Sequence, residues 1–247
     1  MHDTIIDNLA QLHSDAGKYD SATISGENGI SWVSNAPQHW PNAIVLKREL
    51  TDIEKMVSNI DANIYPPTIL LATDNIPDIN TLKNYELREI MRWEGMYLTP
   101  ENYCKIAKPI KNYTLKKVSS NEEVKDWYST IKPILLPTKT MSEALLEGFC
   151  NNPKFCLLTG YYNGNVVAAG MAYSNNSITG LYFIATNPEY RGKGFATKLV
   201  QTLIGNSFRN NSKEIILHST TAGKALYSKF GFTQAGGIST LWKLGKF

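Results

Sequence analysis

The most constraining stretch of this 247-residue chain is a 24-residue segment in its C-terminal half, SITGLYFIATNPEYRGKGFATKLV, at residues 177–200. Its first third is rich in β-branched and aromatic side chains, which favour a half-buried strand. Asn187-Pro188 then ends the strand, because proline donates no backbone hydrogen bond and restricts the residue before it. Beyond two glycines, apolar residues recur at helical spacing. The segment therefore predicts a strand, a tight glycine turn and a helix that begins directly after the turn.

The predicted turn has the chemistry of an anion site. The first turn of a helix carries backbone N–H groups without intrahelical partners, and the helix dipole adds partial positive charge there. Glycines and a small alanine let a diphosphate approach that backbone, while an arginine and a lysine supply full charges. The predicted phosphate contacts are Arg191, Gly192, Lys193, Gly194, Phe195, Ala196 and Thr197.

Two other phosphate loops fit this turn less well. A Walker loop needs a glycine five residues before its Gly-Lys pair, and Asn187 stands there. A dinucleotide fingerprint starting at Gly192 meets Thr197 in place of its third glycine, and the next strand ends in His218 rather than an acidic residue. A basic surface turn without a ligand is the simplest alternative.

Arg191-x-x-Gly194-x-Ala196 after a strand resembles the acetyl-CoA signature of the GCN5-related N-acetyltransferases (GNAT), (Q/R)-x-x-G-x-(G/A). The predicted element order of residues 112–247, β-α-α-β-β-β-α-β-α-β, also matches that family's fold. The resemblance implies an α/β mixed sheet of the acyl-CoA N-acyltransferase type, and acetyl transfer from acetyl-CoA to an amine. It further implies that the pantetheine arm pairs with the backbone of Phe183, Ile184 and Ala185.

The N-terminal part contains a weaker copy of the same pattern. Residues 68–75 and 214–221 each read as a buried strand that leads into a helix and then into a strand with a tryptophan. We therefore predict two tandem halves, a degenerate one over residues 1–108 and a catalytic one over residues 112–247. Such tandem arrangements with one silent half are known in the family that this chain resembles. Convergence between two unrelated α/β segments is the alternative.

The copy lacks the glycine turn. Leu50 passes directly to Thr51-Asp52, and Thr51-x-x-Glu54 is a capping box that predicts Thr51 as the first cap of the next helix. The helix start would present carboxylates to a diphosphate, so no cofactor is expected in this half.

The resemblance also implies a general acid. Tyr227 lies in Ala225-Leu-Tyr-Ser-Lys-Phe-Gly-Phe232, which resembles the family's A-x-x-L-Y-x-x-x-G-F segment, where the tyrosine protonates the departing thiolate. A phenol with a pKa near ~10 is protonated at pH 7. A tyrosine that only packs its ring in the core is the alternative. Ser219 is a candidate for the cofactor channel, although a helix cap explains it equally well.

No general base stands out in the sequence. Many relatives place a glutamate in or beside the strand before the loop, but residues 180–185 contain none. Glu143 and Glu147 are candidates that a solvated helix face explains equally simply, and Glu189 lies too close to the loop. His218 fits a packed histidine better than a base. A water chain, or an amine that arrives neutral, would need no dedicated residue.

Composition excludes several other classes of protein. A net charge of +3 implies no general polyanion-binding surface, so no nucleic-acid partner is expected. No apolar run approaches the ~20 residues that span a bilayer, and the N-terminus does not resemble a secretory signal. The three cysteines are odd in number, widely spaced and unlike a metal-ligand set, which favours free thiols, no metal and the cytoplasm.

The sequence thus predicts an acetyl-CoA-dependent N-acetyltransferase that acts on a primary amine of a small molecule or a peptide. One alternative is an acyl-CoA sensor or interaction module without turnover, and another is an enzyme with a different acyl donor. The sequence leaves the oligomeric state open, with a homodimer as one alternative.

Overall fold

The computed structural model describes residues 2–27, 29–47, 52–72 and 77–245. Within these ranges the chain forms seven α-helices and eleven β-strands. The helices are α1 (His2–Gly17), α2 (Ile53–Asp61), α3 (Ile79–Asn84), α4 (Asn121–Leu135), α5 (Glu143–Asn151), α6 (Phe195–Arg209) and α7 (Thr221–Lys229). The strands are β1 (Thr23–Glu27), β2 (Ile30–Ser34), β3 (Ala43–Leu46), β4 (Thr68–Ala72), β5 (Leu87–Leu98), β6 (Tyr113–Lys117), β7 (Phe155–Tyr162), β8 (Asn165–Asn175), β9 (Ile178–Thr186), β10 (Glu214–Ser219) and β11 (Thr233–Lys243). Among the described residues, no helix combines the length and the apolarity that a membrane crossing requires.

The chain forms two compact units whose segments alternate along the sequence. The first unit comprises Met1–Met96, His218–Ala222 and Gln234–Phe247, and the second comprises Tyr97–Leu217 and Gly223–Thr233. Almost all of β11 therefore belongs to the same unit as the N-terminal strands. The division of the sequence into residues 1–108 and 112–247 concerns two related halves and stays a prediction.

The first unit contains a mixed sheet in the strand order β1-β2-β3-β4-β11-β5. β1 and β2 form an antiparallel hairpin, β3 and β4 run parallel, and β11 runs antiparallel to β4. The inner face of α2 buries Met56, Val57 and Ile60 in a core that includes Ile69 and Leu71. Apolar burial at helical spacing holds α2 in place.

The second unit contains a mixed sheet in the order β10-β9-β8-β7-β6. The four strands from β6 to β9 are antiparallel neighbours, and β10 runs parallel to β9. Asn163 and Gly164 turn β7 into β8 with φ angles of 50° and 82°, as their Asn-Gly sequence predicted. The α/β class with a mixed sheet is thus confirmed.

The structure shows how two helix starts are capped, and the one predicted at Thr51 is displaced. Ser120 caps α4, because its hydroxyl accepts the Glu123 N–H at 3.2 Å. The cap of α2 is Asp52 rather than Thr51, because the Asp52 carboxylate accepts the Lys55 N–H at 2.9 Å. Thr51 and the loop before it, residues 48–50, lie outside the described residues.

Candidate functional site

The start of α6 leaves its backbone open. Gly194 is the N-cap with φ 85°, and no side chain accepts a hydrogen bond from the helix there. The first intrahelical bond joins the Lys198 N–H to the Gly194 carbonyl at 3.0 Å, so the three amides before Lys198 have no intrahelical acceptor. A Cβ added at Gly192 would meet nothing within 4 Å, and one at Gly194 would meet only Ile110 at 3.6 Å. The positive φ angles favour glycine at both positions, and no other described residue comes close to either Cβ position.

Aromatic packing fixes the position of this helix start. Phe195 is 2% exposed, and its ring centroid lies 4.6 Å from that of Tyr113 and 5.0 Å from that of Tyr162. The Tyr113 hydroxyl donates to the Phe195 carbonyl at 3.3 Å, and burial raises the pKa of this phenol, which keeps it protonated. Gly160 leaves room for Tyr113, since a Cβ there would overlap the hydroxyl. Among the predicted contacts, Phe195 thus offers its backbone rather than its buried ring.

The two cations of the turn are exposed and stay close to it. The Arg191 Nε donates to the Thr186 carbonyl at 3.2 Å, and the Lys193 Nζ lies 5.1 Å from the centroid of the Tyr190 ring. Their charges add to the partial charge of the helix end, which suits an anion.

The end of β9 separates from its neighbours. On one side the register with β8 shifts, so that Ala169 faces Ala185 while Met171 faces Tyr182, which leaves Phe183 in a bulge with φ 53°. On the other side the ladder with β10 ends at the pair Leu181 and Leu217, five residues before β9 ends. The backbone of Phe183, Ile184 and Ala185, predicted to pair with a pantetheine arm, lies in this splayed end.

The residue opposite the bulge is Gly170, whose role the sequence did not reveal. A Cβ at this position would lie within 2.7 Å of Leu199 and Ile184 side-chain atoms, so a larger residue would force these side chains to shift. The Gly170 carbonyl accepts a hydrogen bond from the Trp127 indole at 3.0 Å, and the Trp127 ring meets Phe183 edge-on. The bulge is therefore supported from α4 and α6 rather than by its own sequence.

Tyr227 lies on α7 with only 8% of its surface exposed, and its ring packs edge-on against Phe232. Burial raises the pKa of its phenol, so the group is protonated throughout the neutral range. An ordinary thiol has a pKa of about 8.5, so complete proton transfer from this phenol to a thiolate is uphill. A hydrogen bond from the hydroxyl to a developing thiolate is the chemistry that this environment favours.

Ser219 and the glutamate candidates already have partners or lie in solvent. The buried Ser219 hydroxyl donates to the Thr220 carbonyl at 2.8 Å, and this residue belongs to the first unit. The Glu147 carboxylate accepts the Asn121 amide at 2.9 Å, and Glu143 is exposed in the first turn of α5. His218 lies within β10 and is partly buried. A cofactor role for Ser219 and a base role for either glutamate stay predictions.

The segment Tyr103–Tyr113, here called the strap, is a second feature that the sequence did not reveal. Residues 100–109 have the proline and lysine content that is typical of a linker, yet from Tyr103 onward the segment is fixed along α6. The Tyr103 hydroxyl donates to the Gln201 carbonyl at 3.3 Å, and the Gln201 side-chain oxygen accepts the N–H groups of Ile106 and Ala107 at 2.8 and 2.7 Å. Gln201 thus holds the strap through its own backbone carbonyl and its own side-chain oxygen.

Comparisons with known sequences and structures find the family that the sequence resembles. Residues 121–232 match the model of the acetyltransferase (GNAT) family. A GCN5-related N-acetyltransferase from Kribbella flavida superposes over 97% of this chain and 95% of its own, with a TM-score of 0.72 at 13% identity. A conserved protein of unknown function from Staphylococcus epidermidis does so over 90% and 94%, with a TM-score of 0.66 at 13% identity. At these identities the likeness establishes the fold. A comparison with curated protein sequences finds no match.

Proposed function

Because residues 121–232 match the model of the acetyltransferase (GNAT) family, we propose that this chain transfers an acetyl group from acetyl-CoA to a primary amine of a small molecule or a peptide. The observation that carries the proposal is a pair of open backbone surfaces in the second unit. One is the uncapped start of α6 on Gly194, and the other is the splayed end of β9 around Phe183. Together they suit an elongated molecule with a diphosphate and an amide-bearing arm.

Binding is divided between these surfaces. The amides from Gly192 to Thr197, with Arg191 and Lys193, hold the diphosphate. The backbone of Phe183, Ile184 and Ala185 pairs with the arm, and an N–H group in the bulge can polarise the thioester carbonyl. A donor held at both ends has its reactive carbon in a fixed position, which lowers the entropic part of the barrier.

The transfer forms a C–N bond and breaks the C–S bond of the thioester. The neutral amine attacks the carbonyl, its surplus proton leaves to water, and the departing thiolate accepts a hydrogen bond from the Tyr227 hydroxyl. Since β9 contains no acidic residue, a water molecule is the simplest proton acceptor. The free thiols Cys104, Cys150 and Cys156 favour a reducing compartment such as the cytoplasm for this activity.

The decisive experiment is calorimetry of CoA binding to a Gly194→Asp variant. A carboxylate at the start of α6 would repel a diphosphate and occupy the space beside the open amides, so we expect at least a ~100-fold loss of affinity. Gly164→Asp is the matched control, because Gly164 has a similar φ of 82° and open space around it but lies in a hairpin turn. Both variants lose comparable stability from the strained φ, and only the first loses CoA. Unchanged CoA affinity in Gly194→Asp would overturn the proposal.

A non-catalytic acyl-CoA-binding module is the second candidate, favoured by the lack of a carboxylate on β9. Release of free thiol separates the two functions. Wild-type protein is incubated with acetyl-CoA and a panel of amines that includes polyamines, amino sugars and lysine peptides. Thiol release with at least one amine supports the enzyme, and donor binding without release across the panel supports the module. Repeating the assay with longer acyl-CoA donors identifies the preferred acyl group.

A further inference from the structure

The strap passes the start of α6. Ile110 is the neighbour closest to the Gly194 position, and the Ile110 carbonyl accepts the Tyr113 N–H at 3.2 Å. Tyr113 in turn donates its hydroxyl to Phe195, the first residue of α6. Lys111 lies between these two anchors. The backbone at Lys111 is therefore fixed beside the helix start where the diphosphate is proposed to bind.

The strap is also strongly cationic. Lys105, Lys108 and Lys111 are exposed, and none forms an ion pair with another residue in the described part of the chain. Of these, Lys111 follows Ile110 beside the start of α6 and adds to Arg191 and Lys193 of the turn, so three basic residues belong to the backbone around the helix start. Like charges at this density repel one another unless an anion neutralises them. A diphosphate alone carries fewer negative charges than this region offers in positive ones.

Sheet order gives the direction of a bound donor. The splayed end lies between β9 and β10, whereas the strap leads directly into β6 at the opposite edge of the same sheet. β6 is three strands from β9, or about 14 Å at the usual strand spacing. Phe195 contacts Tyr113 of β6 and Tyr162 of β7, so the start of α6 lies on the β6 side. A donor with its thioester at the splay and its diphosphate on α6 points its nucleotide end toward Lys111.

We propose that Lys111 binds the phosphate on the ribose of CoA, so that the strap forms part of the donor site and selects CoA over dephospho-CoA. This inference rests on the proposed function, because it needs the diphosphate on α6. Lys111 acts as a specificity residue that touches the donor away from the reacting atoms. Gln201 acts through the strap by fixing the backbone that carries the lysine.

The test compares CoA with dephospho-CoA by calorimetry on wild-type protein, Lys111→Gln and Lys105→Gln. Lys105 is the matched control, since its neighbours Cys104 and Ile106 are tied to Phe230 and Gln201. Gln201 lies seven residues after Gly194 on α6, which is about 10 Å at the helical rise per residue. The part of the strap that Gln201 holds is therefore well away from the helix start. We expect Lys111→Gln to weaken CoA binding about two- to fivefold, as for one exposed ion pair, and to leave dephospho-CoA binding unchanged. Lys105→Gln should bind both ligands as the wild type does.

The outcomes separate the inference from the proposed function. Wild-type protein that binds neither ligand overturns both. Wild-type protein that binds both ligands with equal affinity overturns the inference and leaves the proposed function in place. If Lys111→Gln lost affinity equally for both ligands, Lys111 would contact the diphosphate that both ligands share. The inference would then be overturned as well. If Lys105→Gln showed the same selective loss of CoA affinity as Lys111→Gln, the effect would come from the general positive charge of the strap. That result would also overturn the inference.

Discussion

The two halves of this chain begin comparable helices in opposite ways. α2 begins at a carboxylate, because Asp52 accepts the Lys55 N–H and satisfies one of the open amides of the first turn. α6 begins at Gly194, which has no side chain to do so. The same backbone groups thus receive a side-chain acceptor in α2 and have none in α6, where we propose that the diphosphate binds. A side-chain carboxylate and a bound phosphate compete for one place.

The strands before these helices differ in the same sense. β3 has four residues, all buried, and pairs with β2 on one side and with β4 on the other as far as Leu46. β9 has nine residues, a bulge at Phe183 and a free edge beyond Leu181. An arm that needs unpaired backbone finds it beside β9 and meets completed ladders along β3. The difference teaches that the site we propose consists of backbone hydrogen bonds that the second half leaves unmade and the first half completes.

The largest expected effect is a fall in kcat, in the half for which we propose catalysis. Tyr227→Phe removes the hydroxyl that we propose donates to the thiolate, and we expect kcat to fall at least ~100-fold, a usual magnitude for acid–base groups. The KM for acetyl-CoA should change little, because the ring and its packing against Phe232 persist. Steady-state kinetics with the amine found in the panel measures both constants.

Tyr85→Phe is the control for that variant. Tyr85 is the C-cap of α3 in the first unit, and its ring packs against the core around Leu82. We expect wild-type kcat from this variant. A kcat in Tyr227→Phe within twofold of that control would remove the proposed role of the hydroxyl.

Features that depend on residues close together in the chain could be predicted from the sequence. The glycine turn, the Asn163-Gly164 hairpin and the Ser120 cap depend on residues a few positions apart, and each could be predicted. The bulge at Phe183 depends on Gly170 and Trp127, which come from a different strand and a helix. Such long-range contacts leave no local pattern, so the splay could be inferred only from the resemblance.

Two further features escaped prediction for the same physical reason. The pairing of β11 with β4 joins residues more than 160 positions apart, and nothing within either strand specifies its partner. The strap is held by one glutamine side chain, Gln201, which by composition alone is an ordinary polar residue on a helix. Proline and lysine content made residues 100–109 look like a linker, because sequence reports local stiffness and charge but not which backbone N–H groups find acceptors.

The next prediction concerns how the free energy of unfolding changes with pH, and it compares buried groups of the two units. His13 of α1 is 5% exposed, and burial lowers its pKa from 6.5 to about 4. Between these values the unfolded chain binds a proton that the folded chain does not, so stability is full above pH 6.5 and falls as the pH drops toward 4. The loss is roughly 2–3 kcal/mol at pH 4.5. In the second unit, burial instead raises the pKa values of Tyr113, Tyr182 and Tyr227, which affects stability only at alkaline pH.

Urea unfolding of wild-type protein, His13→Gln and His39→Gln at pH 7.5 and 4.5 measures this difference. His13→Gln removes the titrating group, so the drop between the two pH values should shrink by roughly 2–3 kcal/mol relative to wild type. His39→Gln, at a partly buried position outside α1, should retain the wild-type drop. Equal drops in all three proteins would place the acid sensitivity elsewhere in the molecule.

The smallest expected effect tests the difference between the helix starts most directly. Asp52→Ala removes the cap of α2, and we expect a loss of about 1 kcal/mol in the free energy of unfolding, the usual value for such a cap. Asp52→Asn should restore most of it, since an amide oxygen also accepts the Lys55 N–H. The shift in Tm that CoA produces should be the same in all three proteins, because the donor is proposed to bind at α6. A larger CoA-induced shift, or a second equivalent of bound CoA, in Asp52→Ala would mean that the Asp52 carboxylate alone prevents CoA from binding at α2. In that case the buried ladders of β3 would not be what excludes the donor.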